Sequence, residues 1–204
     1  MPTYKLTYFD AMGRAEATRL IFAQAQVTYD DHRVKSQEEW QLLKPKTPFA
    51  QLPVLEVDGE QLAQADAINR YLARTFGLAG ENDLEAAKCD MYVSGMEELI
   101  HFFMPWYAES DPAKKKLLWD ELNDRHLQPF LNRYESFLNN NTSGFFVGKK
   151  LTWADLVLYS MFAYWGEKMP DLFNSHPKIK EFVARIGDLP NISKWTENRP
   201  KTLW

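Results

Sequence analysis

Cysteine is nearly absent from this sequence of 204 residues, in which Cys89 is the single example. A lone cysteine cannot form an internal disulfide, and the opening segment MPTYKLTYFD has no apolar core of the kind found in signal peptides. Both features predict a cytoplasmic protein. Because Cys89 lies inside a predicted helix without an assigned base, we interpret it as a buried structural thiol rather than a nucleophile.

The chain has no excess of positive charge, with 24 Lys and Arg against 28 Asp and Glu, and long apolar runs are missing. The formal net charge is −4 and no basic run is longer than that from Lys114 to Lys116, which argues against a nucleic-acid partner. The longest apolar segment, residues 156–165, is about half as long as the ~20 residues that a membrane span needs. We therefore expect neither nucleic acid nor membrane as a partner, and we predict a buried helix at 156–165.

Motifs of metal and nucleotide chemistry are absent as well. The histidines have no metal-ligand spacing with each other or with Cys89, so we expect no metal; they are His32, His101, His126 and His176. The sequence contains no glycine-rich phosphate loop, no GxGxxG and no GxSxG. Nucleotide-dependent and α/β-hydrolase chemistry therefore have no support from motifs.

Two kinds of pattern divide the chain at residues 77–82. Residues 1–76 alternate strand and helix signals, whereas the remainder is a series of helices. In the first part we predict the order β-α-β-α-β-β-α over the segments YKLTYF, GRAEATRLIFAQA, TYDDHRV, SQEEWQLLK, PVLEVDGEQLA and LAQADAINRYLARTFG. Asp58 and Gly59 suit a tight type I′ turn between the last two strands. This order implies a mixed sheet with a parallel first pair and an antiparallel last pair.

The second part is predicted to be helical throughout. Periodicity and proline positions predict helices at 83–108, 113–140, 152–166 and 178–187. Thr152 and Asp155 fit a capping box at the start of the third of these helices. We interpret this capping box as structural.

Polar and aromatic residues at strand ends and helix starts of the first part are the candidates for function. Each has an ordinary structural reading when taken singly; they are Tyr8, Arg14, Trp40, Lys44, Gln51 and Gln64. The start of the helix at Gln64 is open to two interpretations. Its free N–H groups and helix dipole could bind an anion, or Asp66 could serve as an ordinary cap.

Four segments together resemble the cytosolic glutathione transferases of the sigma class, a class that includes the haematopoietic prostaglandin D synthases. The segments are YKLTYFDAMGRAEATRLIF, PFAQLPVLEVDG, QADAINRYLARTFGLAG and GKKLTWADLVL. The resemblance implies an α/β plus all-α fold, in which an N-terminal thioredoxin-like domain is followed by an all-helical C-terminal domain. The domains would span residues 1–79, which bind glutathione, and 80–204, which contribute the hydrophobic-substrate pocket. Pro53 would be cis.

The resemblance also implies a glutathione site with Tyr8 as the catalytic residue, whose hydroxyl donates a hydrogen bond to the glutathione sulfur. The implied glutathione-binding residues are Tyr8, Arg14, Trp40, Lys44, Gln51, Leu52, Gln64, Ala65 and Glu98. Glu98 would reach the ligand of the neighbouring subunit, which makes a homodimer the expected assembly. The exposed helix start at Gln64 would then face the γ-glutamyl carboxylate.

This sequence departs from the family pattern at three places. Ala65 stands where the family usually has serine, so one hydroxyl hydrogen bond to glutathione is missing. Glu97 and Glu98 stand at the positions where, by this resemblance, the prostaglandin synthases have two aspartates. The difference weakens the analogy with prostaglandin synthases that a metal activates. Ala50 replaces a common glycine, a change from which we expect no large effect.

A pocket for the second substrate follows from the same resemblance. Its implied lining is apolar and sulfur-containing, and comprises Phe9, Gly13, Arg14, Ile100, Trp106, Val157 and Met161. The alternative is that the helical members of this set are simply core. The expected function is conjugation of glutathione to hydrophobic electrophiles; the alternatives are a glutathione-dependent prostaglandin D synthase and a non-catalytic ligandin that binds haem or lipid.

Overall fold

The computed structural model describes residues 2–202. Contacts within the chain form two compact units. The first unit runs from the N-terminus to Ala79 and resumes at Gly187, and the second comprises Gly80–Ile186.

The first unit contains a four-stranded mixed sheet, as the sequence predicts. Its elements are β1 (Tyr4–Phe9), α1 (Glu16–Ala25), β2 (Asp30–Val34), α2 (Gln37–Leu43), β3 (Val54–Val57), β4 (Glu60–Ala63) and α3 (Ala65–Phe76). The strand order is β2-β1-β3-β4. The first pair is parallel and the other two pairs are antiparallel. Asp58 and Gly59 both have positive φ, at 51° and 91°, which fits the predicted type I′ turn.

The core of the first unit lies between the sheet and helices α1 and α3. Tyr4 and Leu6 alternate along β1 and are buried, as expected for one face of a strand. The Tyr4 ring packs edge-on against Phe22 of α1, with centroids 5.4 Å apart, and against Phe76 of α3, at 5.9 Å. These contacts fix α1 over β1 and thereby set the direction in which the chain leaves the strand.

The second unit is built of helices. They are α4 (Asp83–Ala108), α5 (Pro112–Leu122), α6 (Gln128–Asn140), α7 (Trp153–Lys168) and α8 (Pro177–Gly187). The helix predicted over 113–140 is interrupted by a π-helical turn, Asn123–Leu127. Pro129 gives a physical reason, since it has no N–H for the carbonyl four residues earlier and its ring would collide with that carbonyl.

Aromatic side chains fill the core of the second unit. Phe162 of α7 lies within 6.5 Å, between ring centroids, of five rings outside its own helix; these are Phe130, Tyr134, Phe146, Phe173 and Phe182. Most of the segment 156–165 is buried within α7, which confirms the predicted buried helix. Across residues 2–202, none of the helices combines the length and apolar character required to cross a membrane.

A last helix, α9 (Pro190–Asn198), is missing from the sequence predictions. It belongs to the first unit, where it packs on α1 and Asn191 Nδ2 donates to the carbonyl of Gln24 at 3.2 Å. Pro190 at its first turn is the signal that could have found it. The division into functional domains 1–79 and 80–204 stays a prediction. By contacts alone, residues from Gly187 onward group with the first unit.

Candidate functional site

The register of the sheet brings four chain segments to one end of it. Phe9 at the end of β1 pairs with Val34 at the end of β2. Thr7 of β1 pairs with Val54 at the start of β3, and Val54 pairs with Ala63 at the end of β4. The residues that follow or precede these positions therefore share one end of the sheet.

Most of the residues predicted to bind glutathione lie on these segments. Tyr8 is the second-last residue of β1, and Trp40 and Lys44 follow β2. The others flank β3 and β4; these are Gln51, Leu52, Gln64 and Ala65. All belong to the first compact unit. The topology thus brings together residues as distant in sequence as Tyr8 and Ala65, which are 57 positions apart. Their role as a ligand site stays a prediction.

Tyr8 is the most buried of these candidates, with 9% of its surface exposed. Its hydroxyl oxygen accepts a hydrogen bond from the backbone N–H of Arg14 at 3.1 Å. Because the oxygen acts as the acceptor, this contact does not use the hydroxyl hydrogen. The hydroxyl therefore keeps its donor capacity and gains polarisation from the N–H that it accepts.

Gly13 has a direct role in the placement of Tyr8. Its φ is +42°, and a Cβ built on it would lie 2.5 Å from the Tyr8 hydroxyl oxygen. Any side chain there would therefore both strain the backbone and displace the hydroxyl. The family resemblance places Gly13 in the second-substrate pocket, and the structure adds a close approach to Tyr8 that the residue pattern could not reveal.

Helix α2 carries Trp40, and Lys44 follows directly after the helix as the first residue of a short 3-10 turn, Lys44–Lys46. Ser36 caps the helix, since its Oγ accepts from the Glu39 N–H at 3.1 Å. The Phe9 ring packs edge-on against Trp40 with centroids 5.4 Å apart, which ties the helix to the end of β1. Lys44 is exposed, so its ammonium is accessible to an anionic group.

The segment before β3 has an unusual backbone. The Leu52–Pro53 peptide bond is cis, which confirms the expectation for Pro53. Ala50 has φ +51°, a left-handed conformation that costs a non-glycine residue roughly 1–2 kcal/mol. The replacement of glycine by Ala50 therefore has an energetic cost that the sequence alone did not indicate.

The start of α3 is open. Gln64 is the N-cap residue, with φ 73° and ψ 115°, and its side chain makes no hydrogen bond to the helix. Asp66 lies inside the first turn and is therefore not the N-cap residue. Backbone N–H groups at the start of a helix, together with the helix dipole, favour an anion.

The remaining predicted residues lie in the second unit. Glu98 is exposed on α4, and Ile100, Trp106 and Met161 are partly exposed, whereas Val157 is buried at 8%. Helices α4 and α7 pack together, with Phe103 stacked on Trp165 at 5.4 Å. Trp106 is held by the ring of Trp119 at 5.2 Å. The second-substrate pocket, which draws on both units, stays a prediction.

Cys89 and Asp155 are buried ionisable groups of the second unit whose pKa values are raised. Burial raises the pKa of the Cys89 thiol to about 11, and Cys89 is fully buried without a disulfide, which confirms its interpretation as a structural thiol. Burial also raises the pKa of Asp155 to about 6. The capping box that contains Asp155 is present as predicted. Within residues 2–202 no cluster of three metal-ligating side chains is found.

An open groove of about 650 Å³ lies in the second unit, between the start of α4 and the chain around Gly148. Its walls carry charges of both signs, from Glu81, Glu85, Lys88 and Lys149. Among the described residues that line it, none belongs to the predicted sites.

Comparison with known proteins identifies the family to which these features belong. The model of the glutathione S-transferase N-terminal domain matches residues 4–74, and the model of the C-terminal domain matches residues 97–199. Glutathione S-transferase 1 of Ascaris suum is 46% identical, with 99% of each chain covered. The hematopoietic prostaglandin D synthase of Gallus gallus is 38% identical over the same share of both chains.

A solved structure shows the same fold. Monomeric Na-GST-3, a glutathione S-transferase of the hookworm Necator americanus, is 38% identical and superposes with a TM-score of 0.93, covering 99% of this chain and 100% of the other. The fold class expected from the sequence, a thioredoxin-like domain followed by helices, is thereby confirmed.

Proposed function

The chain belongs to the glutathione S-transferase family, and we propose that Tyr8 is the residue through which it activates glutathione. The protein is a glutathione transferase, an enzyme that uses glutathione as a thiolate and conjugates it to hydrophobic electrophiles. The observation that carries the proposal is the hydrogen bond from the Arg14 N–H to the Tyr8 hydroxyl oxygen. It orients the hydroxyl and leaves its hydrogen for a further acceptor.

The chemistry demands one good hydrogen bond to sulfur. A thiol with a pKa of ~8.5 must reach ~6.5 to be mostly thiolate at neutral pH, which corresponds to ~2.7 kcal/mol of differential stabilisation. A hydrogen bond to a charged acceptor contributes about 1.5–3 kcal/mol. Tyrosine suits the role because it stays protonated as a donor while the thiolate forms.

The other residues at this end of the sheet fit the two carboxylates of glutathione. Trp40 on α2 and Lys44 just after it would receive the glycyl end, and Arg14 would lie near the sulfur. Gln51 and the Leu52 backbone would pair with the cysteinyl backbone as an added strand does. The start of α3 at Gln64 and Ala65, where the Gln64 side chain makes no capping bond, would bind the γ-glutamyl carboxylate.

The second substrate would bind against apolar side chains. Phe9, Gly13 and Arg14 of the first unit and Ile100, Trp106, Val157 and Met161 of the second would form the pocket, which suits flat electrophiles or lipids. Prostaglandin isomerisation is the second candidate activity, because a relative of 38% identity is named hematopoietic prostaglandin D synthase.

A homodimer in the cytoplasm is part of the same proposal. Leu84 and Met91, with 66% and 52% of their surfaces exposed, stand fourteen and seven residues before Glu98 on α4, so all three share one helix face. An apolar face of this kind suits a second copy of the chain. Since the relative Na-GST-3 is described as monomeric, sedimentation at assay concentration is the measurement that decides, and a fully active monomer would contradict the proposal.

Replacement of Tyr8 by phenylalanine tests the proposed mechanism. Tyr8→Phe should lower turnover by about 10- to 1000-fold, the range for loss of one preorganised donor, with little change in glutathione affinity measured by calorimetry. Tyr4→Phe is the matched control, because Tyr4 is buried on the same strand and packs against Phe22 and Phe76. Equal turnover in wild type and Tyr8→Phe would remove Tyr8 from the mechanism.

A further inference from the structure

We propose that Arg19 and Glu16 form a positioning network that couples helix α9 to the loop holding Tyr8. The proposal rests on the role of Tyr8 proposed above. Neither Arg19 nor Glu16 was among the candidates found from the sequence. Both lie in α1, where the side chain of Arg19 is fully buried and that of Glu16 is 4% exposed.

Arg19 binds the loop that follows β1. Its Nη1 donates to the carbonyl oxygen of Ala11 at 2.7 Å and lies 3.4 Å from that of Met12. The next residues in the chain are Gly13 and Arg14, and it is the Arg14 N–H that donates to the Tyr8 hydroxyl oxygen. The position of that N–H therefore depends on carbonyl groups that the buried guanidinium holds.

The same guanidinium also stands beside the Tyr8 ring. Its central carbon is 5.9 Å from the ring centroid, within the range of a cation–π interaction. Arg19 therefore acts on both ends of the hydrogen bond, since it contacts the loop that supplies the donor and the ring that bears the acceptor. It is a positioning residue, because it contacts Tyr8 and its loop and has no place in the proposed substrate contacts.

Carboxylates hold Arg19 from two sides. Its Nε donates to Asp31 at 3.1 Å, and its Nη1 lies 3.4 Å from Glu16 Oε2. Arg33 binds the other oxygen of Asp31 at 2.8 Å and reaches Asp10, at the beginning of the same loop, at 3.2 Å. The loop is thus anchored to two arginines.

Glu16 connects this anchor to α9 through its second oxygen. Its Oε1 accepts from the indole N–H of Trp195 at 2.8 Å and from Nη1 of Arg199. The two oxygens of the Glu16 carboxylate therefore have different partners. Oε1 binds Trp195 and Arg199 of the last segment, and Oε2 faces Arg19. If α9 moves away, Glu16 loses the donors that fix its orientation toward Arg19.

The charges in this network balance. Arg19, Arg33 and Arg199 face Glu16, Asp31 and Asp10. Well-packed apolar residues can often replace a buried ion network without loss of stability. Stability alone therefore does not account for a network at this position, whereas control over the loop that orients Tyr8 does.

Two substitutions in the network and one matched control test the coupling. Trp195→Phe removes the indole donor while keeping an aromatic ring, and Glu16→Gln removes the charge while keeping the shape. Ser193→Ala is the control, because Ser193 on α9 donates to Glu197 of the same helix and makes no contact in the network. The first measurement is hydrogen exchange, by mass spectrometry without glutathione, of peptides covering residues 11–15.

The second measurement is the pH profile of kcat/KM for glutathione conjugation. We expect faster exchange at residues 11–15 in both Trp195→Phe and Glu16→Gln. At neutral pH, kcat should fall by about 3- to 10-fold in Trp195→Phe and by about 10- to 100-fold in Glu16→Gln. The KM for glutathione should change little, and the acidic limb of the profile should move to higher pH. Ser193→Ala should match wild type in every measurement.

Two results would overturn the coupling. Unchanged exchange at residues 11–15 in both network variants would show that α9 does not control the loop. Faster exchange with unchanged kcat and pH profile would show that the network is structural only. The exchange measurement does not depend on the role of Tyr8, so the loss of that role in the Tyr8→Phe experiment would be recognised separately.

Discussion

Each of the two compact units completely buries a side chain that is charged in water, an arginine in one and an aspartate in the other, but they use it differently. In the first unit the buried group is Arg19, whose partners are loop carbonyls and carboxylates next to Tyr8. In the second unit it is Asp155, which binds Thr152 and Phe146 of its own local chain. The first arrangement stabilises the geometry of a site and the second stabilises the start of a helix.

This difference separates stability from activity. Changes near Tyr8 should lower the rate of conjugation strongly and the free energy of unfolding only slightly, because they displace a hydroxyl without opening the core. Changes at Asp155 should lower the free energy of unfolding and leave the chemistry of the folded molecules intact. The predictions below test this separation in order of expected size.

Asp155→Ala should give the largest effect. The carboxylate accepts from the Thr152 N–H, the Thr152 hydroxyl and the Phe146 N–H, each at 2.8 Å. Loss of a partner for a buried donor costs about 1–3 kcal/mol, so the free energy of unfolding should fall by roughly 4 kcal/mol in urea denaturation. Asp111→Ala, which removes an exposed N-cap of α5, should cost only about 1 kcal/mol. Equal effects of the two substitutions would contradict the special role of the buried acid.

Gly13→Ala should mainly affect activity. A methyl group there would lie 2.5 Å from the Tyr8 hydroxyl oxygen, and a displacement of a catalytic group by about 1 Å can cost about 100-fold in rate. Gly77→Ala is the control, since Gly77 also has positive φ but a Cβ there would have nothing within 4 Å. Both variants should lose similar stability in thermal unfolding, and only Gly13→Ala should lose kcat/KM. Similar activity in the two variants would show that Gly13 does not govern Tyr8.

Ala65→Ser should give the smallest effect. If the start of α3 binds the γ-glutamyl carboxylate, the added hydroxyl should improve glutathione affinity by about 3- to 10-fold, or roughly 0.7–1.4 kcal/mol. Turnover should change little because the contact is remote from the sulfur. Calorimetric titration measures this difference, with Gln64→Ala expected to weaken binding. Equal affinities of wild type and Ala65→Ser would place Ala65 away from the γ-glutamyl group.

The fold could be predicted from the sequence wherever periodicity and turn chemistry agree. β1, α4 and the hairpin at Asp58 and Gly59 follow from alternation, helical spacing and a dipeptide suited to positive φ. The π-helical turn before Pro129 was not predicted, because a run of helical positions does not reveal how the chain accommodates a missing N–H. The short helix α9 has only nine residues, and Pro190 at its first turn is the signal that marks its start.

The site was harder to predict than the fold. Tyr8 and the start of α3 were found because the family resemblance fixes them, and they stay predictions as ligand-binding residues. The contact of Gly13 with Tyr8 depends on a φ of +42°, which cannot be read from the amino-acid sequence. The same holds for the positive φ of Ala50 and Gln64. Arg19 was overlooked because a charged residue in a helix is usually solvated, and only the structure shows it buried beside Tyr8.

The most direct test of the account is a pH titration of glutathione bound to the enzyme, followed by the ultraviolet absorbance of its thiolate. If the Tyr8 hydroxyl donates to the sulfur, the wild-type midpoint should lie near pH ~6.5, about 2 units below the ~8.5 of a free thiol, and the Tyr8→Phe midpoint should return close to the free value. Tyr4→Phe should titrate as wild type does. The same low midpoint in wild type and Tyr8→Phe would contradict the claim that Tyr8 activates glutathione.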